Sequence, residues 1–325
     1  MNADIPTQAL VADIGGTNAR FAIADLETLS LSDIRTFPTA EHATLADAMR
    51  AYLKDAPETV AHAGLAVAAP LRADTVQFTN AAWTFKQSTL AEEAGLKTAY
   101  VFNDFEAQAY ALPVLSGDEL HALRGGRAVE NAPKVVLGPG TGLGVAGLVW
   151  SPSGWVPVPG EGGHQTFPAE TERELALLER MRSGLERLSV ERVLSGPGLA
   201  DLYRAIAASY GFSDAELSPA KVEQLAVGGE DEMAVEALDF FVQWLGRFAG
   251  DMALAFGARG RRLSRRRHAP RILSRLEQDD FRGAFERKGR MSPYVAAIPI
   301  HVVVSDYPGL KGAAAGLRTK LANAG

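Results

Sequence analysis

The sequence contains no cysteine, which excludes disulfide bonds, zinc sites with thiolate ligands and cysteine nucleophiles. It also has no strong excess of one charge, because 33 basic and 39 acidic residues leave a formal net charge of −6. A chain with this balance gives no reason to expect nucleic acid or an anionic membrane as a partner.

Long hydrophobic runs are missing as well. The longest weakly polar stretch, Ala61–Leu71, contains His62 and Pro70 and is too short to span a bilayer. Met1–Leu10 lacks a basic region followed by an apolar one, so we expect no signal peptide. The missing cysteines fit a reducing compartment. The length of 325 residues exceeds that of a typical single core and predicts two domains.

Strand and helix patterns alternate along the chain. Short apolar runs predict strands, and Gly15-Gly16 between the first two predicts a β-hairpin. The predicted strands are Ala9–Ile14, Arg20–Ala24, Leu65–Ala69, Ala99–Phe102, Lys134–Leu137, Val145–Trp150 and Ile298–Val304. Apolar residues at helical spacing predict helices over Thr44–Leu53, Thr171–Arg182, Gly198–Tyr210, Glu232–Phe256 and Gly312–Leu321. This alternation is typical of α/β proteins.

Two glycine-rich turns, each between two predicted strands, can bind phosphate. In the first, Gly15 and Gly16 leave backbone N–H groups open to phosphate oxygens, and Thr17 and Asn18 add side-chain donors. Asp13, at the end of the preceding strand, could hold Mg²⁺ through water. Because any tight hairpin can use Gly-Gly for structural reasons, the first turn alone leaves both interpretations open.

The second turn, Gly138–Gly144, has four glycines in seven residues, with Gly140, Thr141 and Gly142 at its centre. Two such loops facing each other across a cleft would hold a triphosphate from both sides. The two loops together are therefore a more specific signal of phosphate binding than either loop alone. Neither loop is a Walker loop, because no Gly-Lys-Ser/Thr follows. Neither is a dinucleotide fingerprint, because a strand and not a helix follows each one.

Asn103 and Asp104 directly follow the predicted strand Ala99–Phe102. Phosphoryl transfer to an alcohol needs a carboxylate that accepts the hydroxyl proton, and Asp104 is placed for this, with Asn103 holding another hydroxyl. Asp is also a favoured helix N-cap, and a helix-like sequence follows. The local sequence leaves the catalytic and the capping interpretation equal.

Glu161 and His164 lie in a glycine loop and could hydrogen-bond vicinal sugar hydroxyls, since a carboxylate accepts and an imidazole can donate. Glu191 could add a second carboxylate, although by itself it is more typical of a solvated helix residue. Two carboxylates and a histidine could instead suggest a metal site, but the spacing matches no common zinc pattern.

Taken together, these motifs resemble the bacterial glucokinase family. The resemblance rests on five segments that occur in the family's order and span nearly the whole chain: Asp13–Arg20, Asn103–Phe105, Gly140–Gly144, Pro159–His164 and Glu191–Gly198. It implies an α/β protein with the two-domain actin-like (ribonuclease H-like) ATPase fold and an interdomain cleft. The small domain would comprise residues 1–112 and about 305–325, and the large domain residues 113–304.

The resemblance also implies the chemistry. It assigns D-glucose as the sugar, ATP and Mg²⁺ as cosubstrates, and Asp104 as the general base on the glucose 6-hydroxyl. It assigns glucose hydroxyls to Asn103, Glu161, His164 and Glu191, and the ATP phosphates to the two glycine loops. It implies a cytoplasmic homodimer. The related ROK-type kinases use a cysteine-rich zinc motif. This chain has no cysteine, which excludes that branch of the family in its usual form.

The segment Arg261–His268 departs from the family pattern. Where relatives resemble Gly-Val-Tyr-Ile-Gly-Gly-Gly-Ile, a buried strand and an adenosine-binding turn, this chain has five arginines in seven residues. A buried sheet strand cannot pair so many charges, so the segment could instead form a basic patch or a solvated loop.

A third interpretation is that two compensating frameshifts produced this segment. We hypothesise them because GGC GGC GGC ATC read one nucleotide early after C gives Arg-Arg-Arg-His. Sequencing the gene tests this, and arginine codons without flanking insertions or deletions would contradict it.

Three other functions compete with an ATP-dependent glucokinase. The sequence does not separate glucose from other hexoses, because epimers differ by one hydroxyl contact. If the arginines are real and spoil the adenosine site, the chain could be a non-catalytic sugar-binding sensor. A filament-forming actin relative is the third, and the sugar-type loop at Glu161–His164 argues against it.

Overall fold

The computed structural model describes residues 6–71, 73–78, 83–123, 126–212, 216–260 and 269–324. Its strands are β1 (Gln8–Ile14), β2 (Asn18–Asp25), β3 (Leu31–Pro38), β4 (His62–Val67), β5 (Thr75–Gln77), β6 (Thr84–Lys86), β7 (Thr98–Asn103), β8 (Leu120–Leu123), β9 (Lys134–Pro139), β10 (Leu143–Ser151), β11 (Gly154–Gly160) and β12 (Ile300–Val303). The basic segment Arg261–His268 lies outside the described residues.

The α-helices are α1 (Leu45–Lys54), α2 (Leu90–Glu93), α3 (Asp104–Ala111), α4 (Glu172–Met181), α5 (Val190–Val193), α6 (Gly196–Ser209), α7 (Pro219–Gly228), α8 (Glu232–Ala255), α9 (Ala269–Leu276), α10 (Asp279–Glu286), α11 (Ser292–Ala296) and α12 (Pro308–Ala324). In the described ranges, no helix combines the length and the apolar character that crossing a bilayer requires.

The chain forms two compact units. The first comprises Met1–Glu119, Leu148–Pro159 and Ser305–Gly325, and the second comprises Leu120–Gly147 and Gly160–Val304. The C-terminal helix α12 therefore belongs to the same unit as the N-terminal strands.

The first unit is built on a five-stranded sheet of order β3-β2-β1-β4-β7. β1 and β2 form an antiparallel hairpin, closed by a hydrogen bond of 3.0 Å from Gly15 N–H to Asn18 O. β1, β4 and β7 are parallel neighbours. The hairpin predicted from Gly15-Gly16 is confirmed.

Both faces of this sheet are covered, because alternate residues of β1 enter different cores. Leu10, Ala12 and Ile14 pack with α1, whereas Ala9 and Val11 pack with α3 and α12. A strand that is buried on both faces reads as a continuous apolar run, which is why Ala9–Ile14 is easily recognised in the sequence.

The core of the second unit surrounds the 24-residue helix α8. Asp231 caps this helix by accepting hydrogen bonds from Met233 N–H at 2.8 Å and Ala234 N–H at 3.0 Å. Because α6, α7 and α10 all pack against it, α8 is apolar around most of its circumference. Its buried aromatic side chains are Phe241, Trp244 and Phe248.

The smaller sheets are short. β8 pairs antiparallel with β12, β5 pairs antiparallel with β6, and the order β11-β10-β9 makes a three-stranded sheet. The boundary between the two units falls within β10, after Gly147.

Candidate active site

Three parallel strands of the first unit end in register. Ile14 of β1 lies opposite Val67 of β4, and Val67 lies opposite Asn103 of β7. Because the carboxyl ends of neighbouring parallel strands meet at the same edge, the glycine turn after Ile14 and the pair Asn103–Asp104 lie at one edge of one sheet. Ligands of open α/β sheets bind at this kind of edge.

The glycine turn is fixed by Thr39. The Thr39 hydroxyl donates to Gly16 O at 2.9 Å, and Thr39 N–H donates to Thr17 O at 3.0 Å. Thr17 is exposed, while Gly15, Gly16 and Asn18 are partly exposed. These bonds tie the carbonyl groups of the turn to its own unit and restrict the conformation of the loop.

Asp13 precedes this turn with its side chain 32% exposed, and Arg20 Nη1 lies 3.9 Å from Asp13 Oδ2. A Cβ atom added at Gly309 would lie 2.8 Å from the Asp13 carboxyl carbon, so a glycine is needed where α12 begins. Among the described residues, no group of three or more His, Asp or Glu side chains could hold a metal ion. Asp13 therefore fits a Mg²⁺ ion only in the way this ion often binds, mostly through water and ligand phosphates.

Asn103 and Asp104 have different positions at the start of α3. Asn103 is the N-cap, because its Oδ1 accepts from Phe105 N–H at 3.0 Å, and its Nδ2 donates to Ala69 O at 3.3 Å. Asp104 is the first helical residue, so the N-cap predicted at Asp104 is at its neighbour Asn103, although Asp104 Oδ1 also accepts from Phe105 N–H at 3.0 Å. The Asn103 Oδ1 also accepts from the backbone N–H of Glu106 in the capping box, so its amide nitrogen, and not its oxygen, keeps capacity for one more hydrogen bond.

Glu106 completes a capping box that the sequence analysis missed. Its carboxylate accepts from Asn103 N–H at 3.4 Å. Burial raises the pKa of Glu106, although the Asn103 N–H and the charge of Lys320 act in the opposite direction. The spacing Asn-x-x-Glu is a recognised helix-start signal and could have identified Glu106.

In the second unit, the glycine turn between β9 and β10 is stabilised by one hydrogen bond within the turn and by two hydrogen bonds to other segments. Gly140 N–H donates to Gly142 O at 2.7 Å, and Gly196 N–H donates to Gly140 O at 2.8 Å. At the other end of the turn, Leu143 N–H donates to Glu191 Oε2 at 2.8 Å. Thr141, at the tip, is exposed.

Glu161 and His164 form one tight turn, closed by His164 N–H donating to Glu161 O at 2.9 Å, and both side chains are exposed. A Cβ atom at Gly163 would lie 2.2 Å from Leu143 O, so this turn packs directly on the start of β10. Arg187 Nη1 donates to His164 O at 2.6 Å.

The second unit thus brings three of the four predicted sugar residues next to the second glycine loop, whereas the fourth, Asn103, lies in the first unit. Glu161, His164 and Glu191 all lie beside the turn that ends at Leu143. Sequence analysis missed the contacts of Arg187 with His164 and of Glu191 with Leu143. These partners are 23 and 48 residues apart, so no local pattern could have identified them.

Known proteins resemble this chain over nearly its whole length. A family model described as glucokinase matches residues 10–320. The glucokinase of Neisseria gonorrhoeae (strain ATCC 700825 / FA 1090) is 43% identical over 323 residues, which cover 99% of this chain and 98% of that protein.

Solved structures give the fold. The crystal structure of a glucokinase from an Antarctic psychrotroph matches with a TM-score of 0.88 and 39% identity, covering 96% of this chain and 99% of that one. A ROK family glucokinase from Streptomyces griseus, crystallised with glucose and AMPPNP, matches with a TM-score of 0.63 and 19% identity, covering 96% and 99%, and this likeness concerns the fold alone.

The matches extend over both units, and the structural ones identify the two-domain actin-like ATPase fold of the sugar kinases. The predicted fold class is confirmed. Because a family model covers most of the chain and a relative with 43% identity covers nearly all of it, the chain belongs to the glucokinase family of enzymes.

Proposed function

We propose that the protein transfers the γ-phosphoryl group of ATP to the 6-hydroxyl of D-glucose, giving glucose 6-phosphate and ADP. The observation that carries this proposal is the match to the glucokinase family over residues 10–320. The substrates come from the relatives, which are named glucokinases, and from the S. griseus protein with glucose and AMPPNP.

In this proposal Asp104 is the general base. Its carboxylate accepts the proton of the glucose 6-hydroxyl while that oxygen bonds to the γ-phosphorus. The bond between this phosphorus and the β–γ bridging oxygen breaks, and ADP leaves with the electron pair. The position of Asp104 at N1 supports the role, because Asn103 caps the helix and the aspartate is not required as the N-cap.

Four further side chains are assigned to the glucose hydroxyls: Asn103, Glu161, His164 and Glu191. The two carboxylates would accept from hydroxyl groups, while the imidazole and the amide nitrogen would donate to hydroxyl oxygens. The exposure of Glu161 and His164 supports this assignment, because their polar atoms can reach a ligand from solvent.

The two glycine turns are assigned to ATP. Gly15, Gly16, Thr17 and Asn18 would supply donors from the first unit, and Gly140, Thr141 and Gly142 from the second. When bound, Mg²⁺ neutralises charge on the phosphate oxygens. Asp13 would hold that ion through water, as its single, partly exposed carboxylate allows.

A coupled assay with glucose, ATP and Mg²⁺ tests the proposal, with mannose and glucosamine as matched sugars. We expect one ADP per glucose 6-phosphate and a higher kcat/KM for glucose than for the other two. If no sugar stimulates ADP formation, the proposal fails. If mannose is preferred, the reaction class stands and the sugar assignment fails.

Glucose binding without turnover would instead indicate the sugar-binding sensor, an alternative to which the comparisons give no support. We also propose a cytoplasmic homodimer, as the family resemblance implies. Sedimentation equilibrium tests the dimer, and a single species with the 34.6 kDa mass of one chain would contradict it.

A further inference from the structure

We propose that Glu191 has a second task beyond the sugar: it positions the glycine loop Gly140–Leu143 and so couples glucose binding to nucleotide binding. This inference rests on the proposed function. It arises from a contact inside the second unit, where the Glu191 carboxylate holds a backbone N–H group of the loop assigned to the phosphates.

The contact joins a charged acceptor to a buried backbone donor. Leu143 N–H donates to Glu191 Oε2 at 2.8 Å, and the Leu143 side chain is buried in the core of the unit. Hydrogen bonds to ionised groups are shorter and stronger than neutral ones. Losing Glu191 would therefore release the end of the loop at which β10 begins.

One short segment holds both ends of the loop. Glu191 lies on α5 and bonds Leu143, while Gly196, at the start of α6, bonds Gly140 O at 2.8 Å. The same segment also contacts the turn Glu161–His164, here called the sugar turn, because Val190 N–H donates at 2.8 Å to the carbonyl group of Gln165, the residue directly after it. Residues 189–196 thus contact the sugar turn on one side and the phosphate loop on the other.

The loop has a glycine where the carboxylate approaches it. A Cβ atom at Gly142 would lie 2.4 Å from Glu191 Oε2 and 3.1 Å from its carboxyl carbon. A larger residue at 142 would require the carboxylate to move from its present position on Leu143 N–H. Gly142 therefore leaves room for the Glu191 contact as well as for the approach of phosphate.

Two substrates that depend on one carboxylate should affect each other's affinity. A carboxylate accepts several hydrogen bonds, so Glu191 can hold Leu143 through Oε2 and also accept from a glucose hydroxyl. A bound sugar would fix the carboxylate and with it the loop. By linkage, the factor by which glucose tightens nucleotide binding equals the factor by which the nucleotide tightens glucose binding.

The first test measures the affinity for AMPPNP with Mg²⁺ by calorimetry in protein without glucose. Glu191→Ala should weaken this affinity about tenfold, the effect of losing a charge-assisted hydrogen bond. Glu191→Gln keeps an oxygen that can accept from Leu143 N–H, so it should stay within about threefold of the wild type. Both variants should bind glucose more weakly, and Glu186→Gln, an exposed glutamate of the same unit, serves as the control.

The second test is a double-mutant cycle with Gly142→Ala. Alone, this substitution should weaken AMPPNP binding about tenfold, because it displaces the carboxylate. Added to Glu191→Ala, it should cost less than about threefold, because the group it collides with is gone. Hydrogen exchange of the Leu143 amide, measured without ligand, should be faster in both single variants.

The outcomes separate the inference from the proposed function. If Glu191→Ala changes glucose affinity but neither AMPPNP affinity nor exchange at Leu143, Glu191 is a sugar ligand only and the inference is overturned. An additive cycle would also overturn it. If the wild type binds no nucleotide and turns over no sugar, the proposed function fails together with the coupling, whereas the exchange rate at Leu143 still decides whether Glu191 holds the loop.

Discussion

Arg247 and Glu174 form a salt bridge in which both side chains are almost completely buried. Arg247 Nη1 lies 3.0 Å from Glu174 Oε2, and the side chains are 5% and 6% exposed. Trp244 Nε1 donates to the same carboxylate at 2.9 Å, and the guanidinium also donates to Pro168 O at 3.3 Å. The pair therefore joins α4, α8 and the segment that follows the sugar turn.

Removing one partner of this pair should be costly. We expect Arg247→Met to lower the free energy of unfolding by about 3–5 kcal/mol, because it leaves the Glu174 carboxylate buried without its counter-ion. Arg204→Met is the matched control, since Arg204 and Asp201 are 47% and 42% exposed, and a surface pair contributes only ~0–1 kcal/mol. Urea denaturation measures both, and equal losses would contradict a special role of burial.

Asp104→Asn should abolish phosphoryl transfer without loss of stability. General-base catalysis contributes ~10²–10⁴-fold, so kcat should fall at least that far. The helix start should survive because Asn103 caps it. Asn103→Ala is the informative control: it should lower stability by ~0.5–2 kcal/mol through the lost cap while retaining more turnover. Near-normal kcat in Asp104→Asn would refute the base assignment.

Glu161→Gln and His164→Ala should each weaken glucose binding. A site that pairs hydroxyl groups leaves one unsatisfied when its partner is removed, at ~1–3 kcal/mol per group. Melting temperatures should not change, because both side chains are exposed. Glu172→Gln, another exposed glutamate of the second unit, controls for the lost charge. Calorimetry that finds unchanged glucose affinity in both variants counts against the assignment.

Glu106 gives stability an identifiable pH dependence. Burial raises the pKa of its carboxyl above the ordinary 4.5, so the folded protein binds more protons than the unfolded chain between these two pKa values. Stability contributed by this group therefore falls as pH rises through that window and stays lower above it. Gln at this position remains neutral and can still accept from Asn103 N–H.

Glu106→Gln should consequently be more stable than the wild type at about pH 7, and this advantage should disappear towards about pH 4. Urea denaturation at several pH values measures the difference. Glu92→Gln, which removes an exposed carboxylate from the same unit, is the control. A Glu106→Gln variant that is less stable than the wild type at neutral pH would contradict the effect of burial.

The sequence alone predicted the elements that have strong local signals. β1 is recognised because both of its faces are buried, and α8 because its apolar pattern is long. β3 was missed, since only alternate residues are partly buried along Leu31–Pro38 and none is fully buried. The local sequence identified the candidate site residues and the family resemblance assigned their roles, whereas contacts such as Glu191 to Leu143 depend on tertiary packing, which no local pattern encodes.

The last prediction concerns Arg261–His268, where five arginines stand in place of a family strand and glycine turn. If this stretch takes the family's buried position, even one unpaired charge costs several kcal/mol, comparable to a domain's whole stability of ~5–15 kcal/mol. Replacing it with Gly-Val-Tyr-Leu-Gly-Gly-Gly-Ile should raise the melting temperature and tighten AMPPNP binding. Glucose affinity should change less, because the residues assigned to the sugar lie elsewhere in the sequence.

The matched control removes five positive charges elsewhere, by changing the exposed residues Arg127, Arg180, Arg182, Arg204 and Arg290 to Gln. It should raise neither quantity, because solvated arginines carry no burial cost. Scanning calorimetry and titration with AMPPNP and Mg²⁺ compare the three proteins. If the unaltered protein melts as high and binds AMPPNP as tightly as the replaced one, the arginines are compatible with a working nucleotide site, and the interpretation of this segment as damaged is wrong.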